Sequence, residues 1–291
     1  MNFYGRLTVG IRPAAQEGYA LVAAVAAILF FAIVALAALT LTRRVIVTGS
    51  AEVEAARASA AAEAGIALAL RGLLANEAAN AFPVDGTPRR LVFDGGSIEI
   101  VVRDERGKVP LNLIDETQLA ALLEYAGLSG EPLQVARDSF LDWIDEDDEA
   151  RPSGAERAFY RKEGLAPRNA PLQTLRELGR VRGFPPDVFT KIASIATTDF
   201  GNGTFDLQTA TPAAIAVMYP AGDAAVDQII RGRQSQGQVT VLDFVDKTSR
   251  VARPFTISVT ASYPSGAVAS RSCVVELTGA VSRPYLIRHC A

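Results

Sequence analysis

The 291-residue chain has a single histidine, His289, two positions from its end, and only two cysteines, Cys273 and Cys290. That scarcity excludes most histidine-based acid–base catalysis, zinc sites of the Cys/His type and a disulfide-built scaffold. Cationic excess is missing as well: 29 Lys and Arg stand against 32 Asp and Glu, a net charge of −3. Gripping nucleic-acid phosphates calls for clustered Lys and Arg, so the balance argues against that business. No P-loop, no G-x-S-x-G elbow, no H-E-x-x-H and no repeat of solenoid length occurs. Any catalysis would have to be built from carboxylates, serines or lysines. Hydrophobic residues at 49% and charged residues at 21% describe a folded chain that is neither disordered nor polytopic. Its length suits one large domain or two modest ones.

What the chain does have begins near its N-terminus. From Tyr19 to Leu41 about 23 residues carry no charge, enough to cross a bilayer as a helix. Arg43 and Arg44 close the run, and a short leader with Arg6, Arg12 and Glu17 precedes it. A cleaved secretory signal with a site near Ala35 and Ala37 is one reading, but the apolar run exceeds the usual core of about 7–15 residues. A plain signal anchor is a second. A third takes in the residues past the arginines. There Val45, Val53, Ala56, Ala60, Ile66, Leu70, Leu73 and Leu74 keep helical spacing, with Glu52, Glu54, Arg57 and Glu63 between them. This predicts one long helix, half in lipid and half lying on a folded domain.

Beyond Ala75 the pattern fades through Asn76, Asn80, Pro83, Gly86 and Pro88. Leu91–Phe93 and Ser97–Val102 around Asp94-Gly95-Gly96 read as a hairpin. Pro254–Thr260 alternates as a strand, and Cys273–Leu277 and Tyr285–Ile287 are two more. Between these brackets, from about Leu111 to Val245, the chain reads as mainly helical.

Asp142, Asp145, Glu146, Asp147, Asp148 and Glu149 crowd the end of a predicted helix that carries Phe140 and Trp143. Carboxylates there face the negative end of the helix dipole and repel one another. Such a run serves as a solvated acidic turn or as a cation site. Counted from Asp145 as position one, Asp147 is third, Glu149 fifth, the Arg151 carbonyl seventh and Glu156 twelfth, the ligand spacing of a calcium loop. Ala150 stands where the turn glycine of an EF-hand belongs, and Pro152 and Gly154 alter the path, so a regular EF-hand is excluded. An all-oxygen set suits Ca²⁺ over Zn²⁺. We expect Asp145, Asp147, Arg151 through its carbonyl, and Glu156 as ligands. Asp142 and Asp145 could also form a carboxylate pair for acid–base work in an anchored hydrolase.

Two stretches read as helix-hairpin-helix units: Leu175–Phe184 continued by Phe189 and Ile192, and Thr209–Pro212 through Ile215 to Ile229–Arg233. Arg180, Arg182, Arg231 and Arg233 could support phosphate at such hairpins, or the hairpins could serve packing alone. A membrane-anchored, competence-type DNA-binding protein is therefore the alternative. Cys273 alternates with Val275 and Leu277 as a buried strand position, and its pairing with Cys290 is left open.

In order, the segments Leu111-Asn112-Leu113, Asp142-Trp143-Ile144-Asp145, Gly154-Ala155-Glu156 with Tyr160, Asn169-Ala170-Pro171-Leu172, Leu175–Leu178, Arg182-Gly183 and Leu207-Gln208-Thr209-Ala210 resemble minor pseudopilin K of type II secretion, a type IV pilin-like family. The last departs slightly from the Asn-Thr-Ala usual there. The resemblance implies that a prepilin peptidase cuts after Gly18 to leave Tyr19 first. The fifth mature position, glutamate in most pilins, is Ala23, and among pseudopilins K has this exception. It further implies an α+β fold: a pilin-like long N-terminal helix packed on a small antiparallel sheet, with a large all-α, SAM-like or helix-hairpin-helix-like insertion. The expected organisation is leader 1–18, transmembrane half-helix 19–42, pilin helix and first strands 43–107, helical insertion 108–250, and C-terminal strands 251–291. It implies structural calcium, partners in minor pseudopilins I and J, the prepilin peptidase and inner-membrane lipid, and no nucleic acid. The expected protein is non-catalytic, single-pass in the bacterial inner membrane, its bulk in the periplasm.

Overall fold

The computed structural model describes residues 17–75, 82–220, 223–235 and 251–291. Arg6, Arg12, Asn76, Asn80 and the expected end of the helical insertion near Val245 lie outside the described residues. The chain forms two compact units, Met1–Ala56 and Arg57–Ala291. The helix α1, Glu17–Leu74, contributes to both.

In the first unit, Tyr19–Leu41 has a mean hydropathy of 2.9 and none of it is buried within the protein. Leu21, Ile28, Phe30, Phe31 and Leu39 are all well over half exposed. An apolar surface of that extent is untenable in water and suits a single-pass membrane anchor.

In the second unit the sequence rules are easy to trace. The strands β1 (Arg89–Phe93), β2 (Gly96–Asp104), β5 (Pro254–Ser262), β6 (Val268–Leu277) and β7 (Tyr285–Cys290) make one antiparallel sheet in the order β1-β2-β5-β6-β7. Asp94 and Gly95, both at positive φ, make the two-residue turn between β1 and β2. Period-two alternation buries Ile98, Ile100 and Val102 of β2 and Phe255, Ile257, Val259 and Ala261 of β5 on one face. That face packs on Ala58, Ala61, Ala62, Ile66, Ala69, Leu70 and Leu73 of α1. The helical stripe is thus shifted from the one predicted: Ala56, Ala60 and Leu74 are exposed, and the small residues between them face the sheet. Alanine's short side chain suits it to the contact, and a search for bulky apolar residues passes over it. Cys273 and Cys290 are paired across β6 and β7 and form a disulfide.

The chain leaves this sheet after Asp104 and returns at Pro254, so β2 and β5, distant in sequence, are adjacent in register. Between them lie α2 (Glu116–Tyr125), α3 (Gly130–Ile144), α4 (Arg157–Tyr160), α5 (Pro186–Ile195), α6 (Pro212–Met218) and α7 (Asp223–Ser235). Asp115 starts α2 with a reciprocal capping box to Gln118. Leu119, Leu122, Leu123, Phe140, Trp143, Tyr160, Leu178 and Ile192 form a separate core. The insertion is not all-α as expected. Val109–Pro110 (β3) and Ala196–Thr197 (β4) pair in parallel, so the first helices are closed by a two-stranded ladder. Two residues per strand leave no periodicity for a sequence reading to find.

A buried ionic cluster lies where the insertion leaves and rejoins the sheet. The Arg253 guanidinium donates to Asp104 and to Asp206, and Asp104 is almost wholly buried. Burial pushes the Asp104 carboxyl up, and the Arg253 hydrogen bond opposes that rise. Beside it, Glu105 accepts from Thr256 at 2.5 Å and pairs with Lys108 at 2.6 Å.

Candidate metal centre

The site grows from the end of α3. Asp138 and Asp142 are one helical turn apart and both buried. Asp142 accepts from the Arg151 backbone N–H at 3.2–3.3 Å and from its guanidinium at 2.7 Å. Asp138 accepts from the Ser153 N–H at 3.2 Å and from Arg137 at 2.8 Å. These two carboxylates therefore fold the succeeding loop back onto the helix that precedes it. Gly154 lies so close to Asp142 that a Cβ there would overlap the carboxylate. Its carbonyl accepts from the Arg182 guanidinium at 3.0 Å.

The fold-back brings distant carboxylates together. Asp145 ends α3, its N–H donating to the Leu141 carbonyl at 3.0 Å. Asp147 turns the loop by accepting from the Glu149 N–H at 2.8 Å. Glu156 caps α4, one of its oxygens accepting from the Arg157 N–H at 3.3 Å. One oxygen each of Asp145, Asp147 and Glu156 lies within 4.8 Å of the other two.

Three oxygens here are buried and have no hydrogen-bond donor among the described residues: Asp145 Oδ1, Glu156 Oε1 and Asn169 Oδ1. Buried acceptors without partners are costly, each by roughly 1–3 kcal/mol. Asn169 is tied to the loop, its side-chain amide donating to the Asp147 carbonyl at 2.6 Å and to Asp148 Oδ1 at 3.1 Å. Its backbone N–H donates to the Trp143 carbonyl at 3.0 Å, and its φ of +49° is unusual for a residue other than glycine. Burial, together with Asp142, Asp145 and Asp148 nearby, pushes the Glu156 carboxyl up to about 7, against the pull of the Arg157 N–H. A hard cation among the converging oxygens of Asp145, Asp147 and Glu156 would give buried acceptors a partner and would reverse that shift. The residues therefore fit a calcium-type ion, and the donors are all oxygen.

Of the ligands expected from sequence, Asp145, Asp147 and Glu156 converge. Arg151 has a different visible part. Its carbonyl accepts from the Gly154 N–H at 3.0 Å, and its guanidinium bridges Asp142 and Asp145, the latter at 2.5 Å. It is an internal counter-ion for the acidic loop. Its guanidinium also occupies Asp142, which makes that residue a poor general base for an acid–base pair with Asp145. Sequence spacing missed Asn169, which lies beyond α4. Its only sequence signal was a place in the Asn-Ala-Pro-Leu stretch. At the other end of the chain, Gly18 and Tyr19 both lie in the first turns of α1, and Tyr19 is exposed.

The two hairpin stretches depart from the expected pattern in detail. Leu175–Arg180 is a 3₁₀ turn capped by Thr174 and Glu177, not an α-helix. Gly183, at φ +90°, presses on α3: a Cβ there would come within 2.7 Å of the Ala136 Cα. Its conformation is spent on packing. In the second stretch Gly232 continues inside α7 and turns no corner.

Residues 101–198 match the family model described as type II secretion system (T2SS), protein K. That segment contains β3, α2–α5, β4 and every residue of the acidic site. No curated protein sequence matches the chain. Among solved structures, a chain of the GspK-GspI-GspJ complex from the type 2 secretion system of enterotoxigenic Escherichia coli is similar in fold. Its TM-score is 0.51 at 15% identity, over 86% of this chain and 98% of that one. The segment 101–198, with the acidic loop at its centre, is thus similar to protein K of the type II secretion system.

Proposed function

We propose that the chain is the minor pseudopilin K of a type II secretion system, a non-catalytic subunit at the tip of the pseudopilus that supports secretion across the outer membrane. The observation that carries this is one of arrangement. A protein K segment is inserted between neighbouring strands β2 and β5, the sheet packs on the second half of α1, and the first half of α1 is an uncharged run long enough to cross a membrane. Anchored in the inner membrane with its bulk in the periplasm, the chain is cut after Gly18 by prepilin peptidase and joins minor pseudopilins I and J through its N-terminal helix. Ala23 supports a first position: a subunit with no neighbour above it has no amine to neutralise, and a carboxylate in lipid would be a cost without a return. The insertion then blocks addition of a further subunit.

Calcium at Asp145, Asp147, Glu156 and the Arg151 carbonyl has a structural role. It cross-braces the loop between α3 and α4, lending folding free energy in a calcium-containing compartment. The test is co-expression of the full chain with minor pseudopilins I and J of the same system. Co-purification of all three, with loss of secretion when this chain is deleted, is the expected result. A chain that purifies alone and is dispensable for secretion would overturn the proposal.

A further inference from the structure

Trp143, at the end of α3 that leads into the acidic loop, also lines a cavity of about 530 Å³ with the opposite charge. Its wall includes Trp143, Arg168, Thr174, Arg176, Glu177 and Arg180. Three guanidinium groups face one carboxylate, in a chain whose net charge is negative. That carboxylate is already engaged: Glu177 accepts from the Gln173 and Thr174 N–H groups at 3.0 and 3.1 Å, and Arg168 stands 3.9 Å away. Arg176 and Arg180 are exposed and have no ion-pair partner among the described residues. Trp143 is 3% exposed, and its indole N–H is buried without an acceptor among the described residues. A buried donor left in that state carries the same cost as a buried acceptor.

We infer that this cavity is a binding site for an acidic peptide segment, held through its carboxylates by Arg176, Arg180 and Arg168. Guanidinium forks match carboxylates in geometry, and charge-assisted bonds of this type are the strong ones. The volume selects a peptide over a single oxyanion, since cavities of about 300–1,000 Å³ hold molecules of many atoms. The 3₁₀ turn Leu175–Arg180 holds Arg176 and Arg180 on one short rigid element, with Leu178 anchored in the core behind them. The inference is independent of calcium, although the two sites share Trp143.

Trp143 is the only tryptophan in the chain, so its fluorescence reports on this cavity without labelling. The full-length protein in detergent, freed of calcium so that chelation plays no part, is titrated with the blocked peptide Glu-Asp-Glu-Asp, with Lys-Lys-Lys-Lys, and with inorganic phosphate. The expected result is a saturable change with the acidic peptide alone, weakened by salt and at least about tenfold weaker in R176Q/R180Q. Both positions are exposed, so the thermal melt of that variant stays unchanged. Saturation by phosphate without saturation by the peptide would replace the peptide with an oxyanion and overturn the inference. No saturation by any probe would overturn it, and so would a peptide response that survives R176Q/R180Q.

Discussion

Glu156 gives the acidic loop an unusual dependence on pH, one that calcium should flatten. Its carboxyl, ordinarily near 4.5, is pushed up to about 7 by burial and by the nearby aspartates when no cation is present. Between those values the folded chain holds a proton that the unfolded chain has released, so stability falls as pH rises. The contribution is complete below pH 4.5 and is lost as pH passes through about 7. At about 1.36 kcal/mol per unit the ceiling is roughly 3 kcal/mol. In a domain of this size that is roughly 5–10 °C of melting temperature. Calcium binds the ionised form and therefore offsets the loss: at about one hundred times its dissociation constant it restores about 2.7 kcal/mol, most fully at high pH. The assay is thermal melting of the full chain in detergent, from about pH 5 to about pH 8, with chelator and with calcium. The unliganded protein should lose stability across that range and regain it with calcium. Glu156→Gln should flatten the unliganded profile and abolish the calcium increment. A chelated protein whose melting temperature holds or rises with pH would refute the reasoning. A Glu156→Gln variant still stabilised by calcium would do the same.

The packing carries three further expected outcomes. Gly154→Ala puts a methyl group on the Asp142 carboxylate. It should cost about 2–4 kcal/mol by denaturant titration and weaken calcium binding measured by calorimetry. Cys273→Ser with Cys290→Ser removes a crosslink spanning 17 residues, and reductant should mimic it; the loss is about 3 kcal/mol, with protease cuts appearing in β7. Arg253→Ala leaves the buried Asp104 without its counter-ion and should cost about 3–5 kcal/mol, read by chemical denaturation.

The sequence made some elements easy to read and hid others, for physical reasons. The strands β2 and β5 alternate strictly, so their existence and inward faces were legible, and the Asp94-Gly95 turn marked the hairpin. The helix α1 was legible as a length but not as a face, because the residues on the sheet are mostly alanines with little hydrophobic contrast to their neighbours. Asp145, Asp147 and Glu156 could be found from spacing alone, since the loop that joins them is short. Asn169 could not, because it reaches the loop only after α4 has turned the chain back. Arg151 shows a limit of motif logic: the position expected to lend a carbonyl also carries the guanidinium that neutralises Asp142 and Asp145. Gly183 looked like a phosphate-binding hairpin because a left-handed glycine serves close packing and ligand approach equally well. Only the position of Ala136 distinguishes them.

The central claim, that the chain is matured as a pseudopilin before it assembles, is tested most directly at its N-terminus. The first residue of the protein is determined in membranes from cells with and without prepilin peptidase. The account predicts a chain that starts at Tyr19 when the peptidase is present and retains the segment through Gly18 when it is absent, with Gly18→Val blocking the cut in cells that have the peptidase. A chain that begins near Ala37, or one whose N-terminus is the same in both cells, would contradict it.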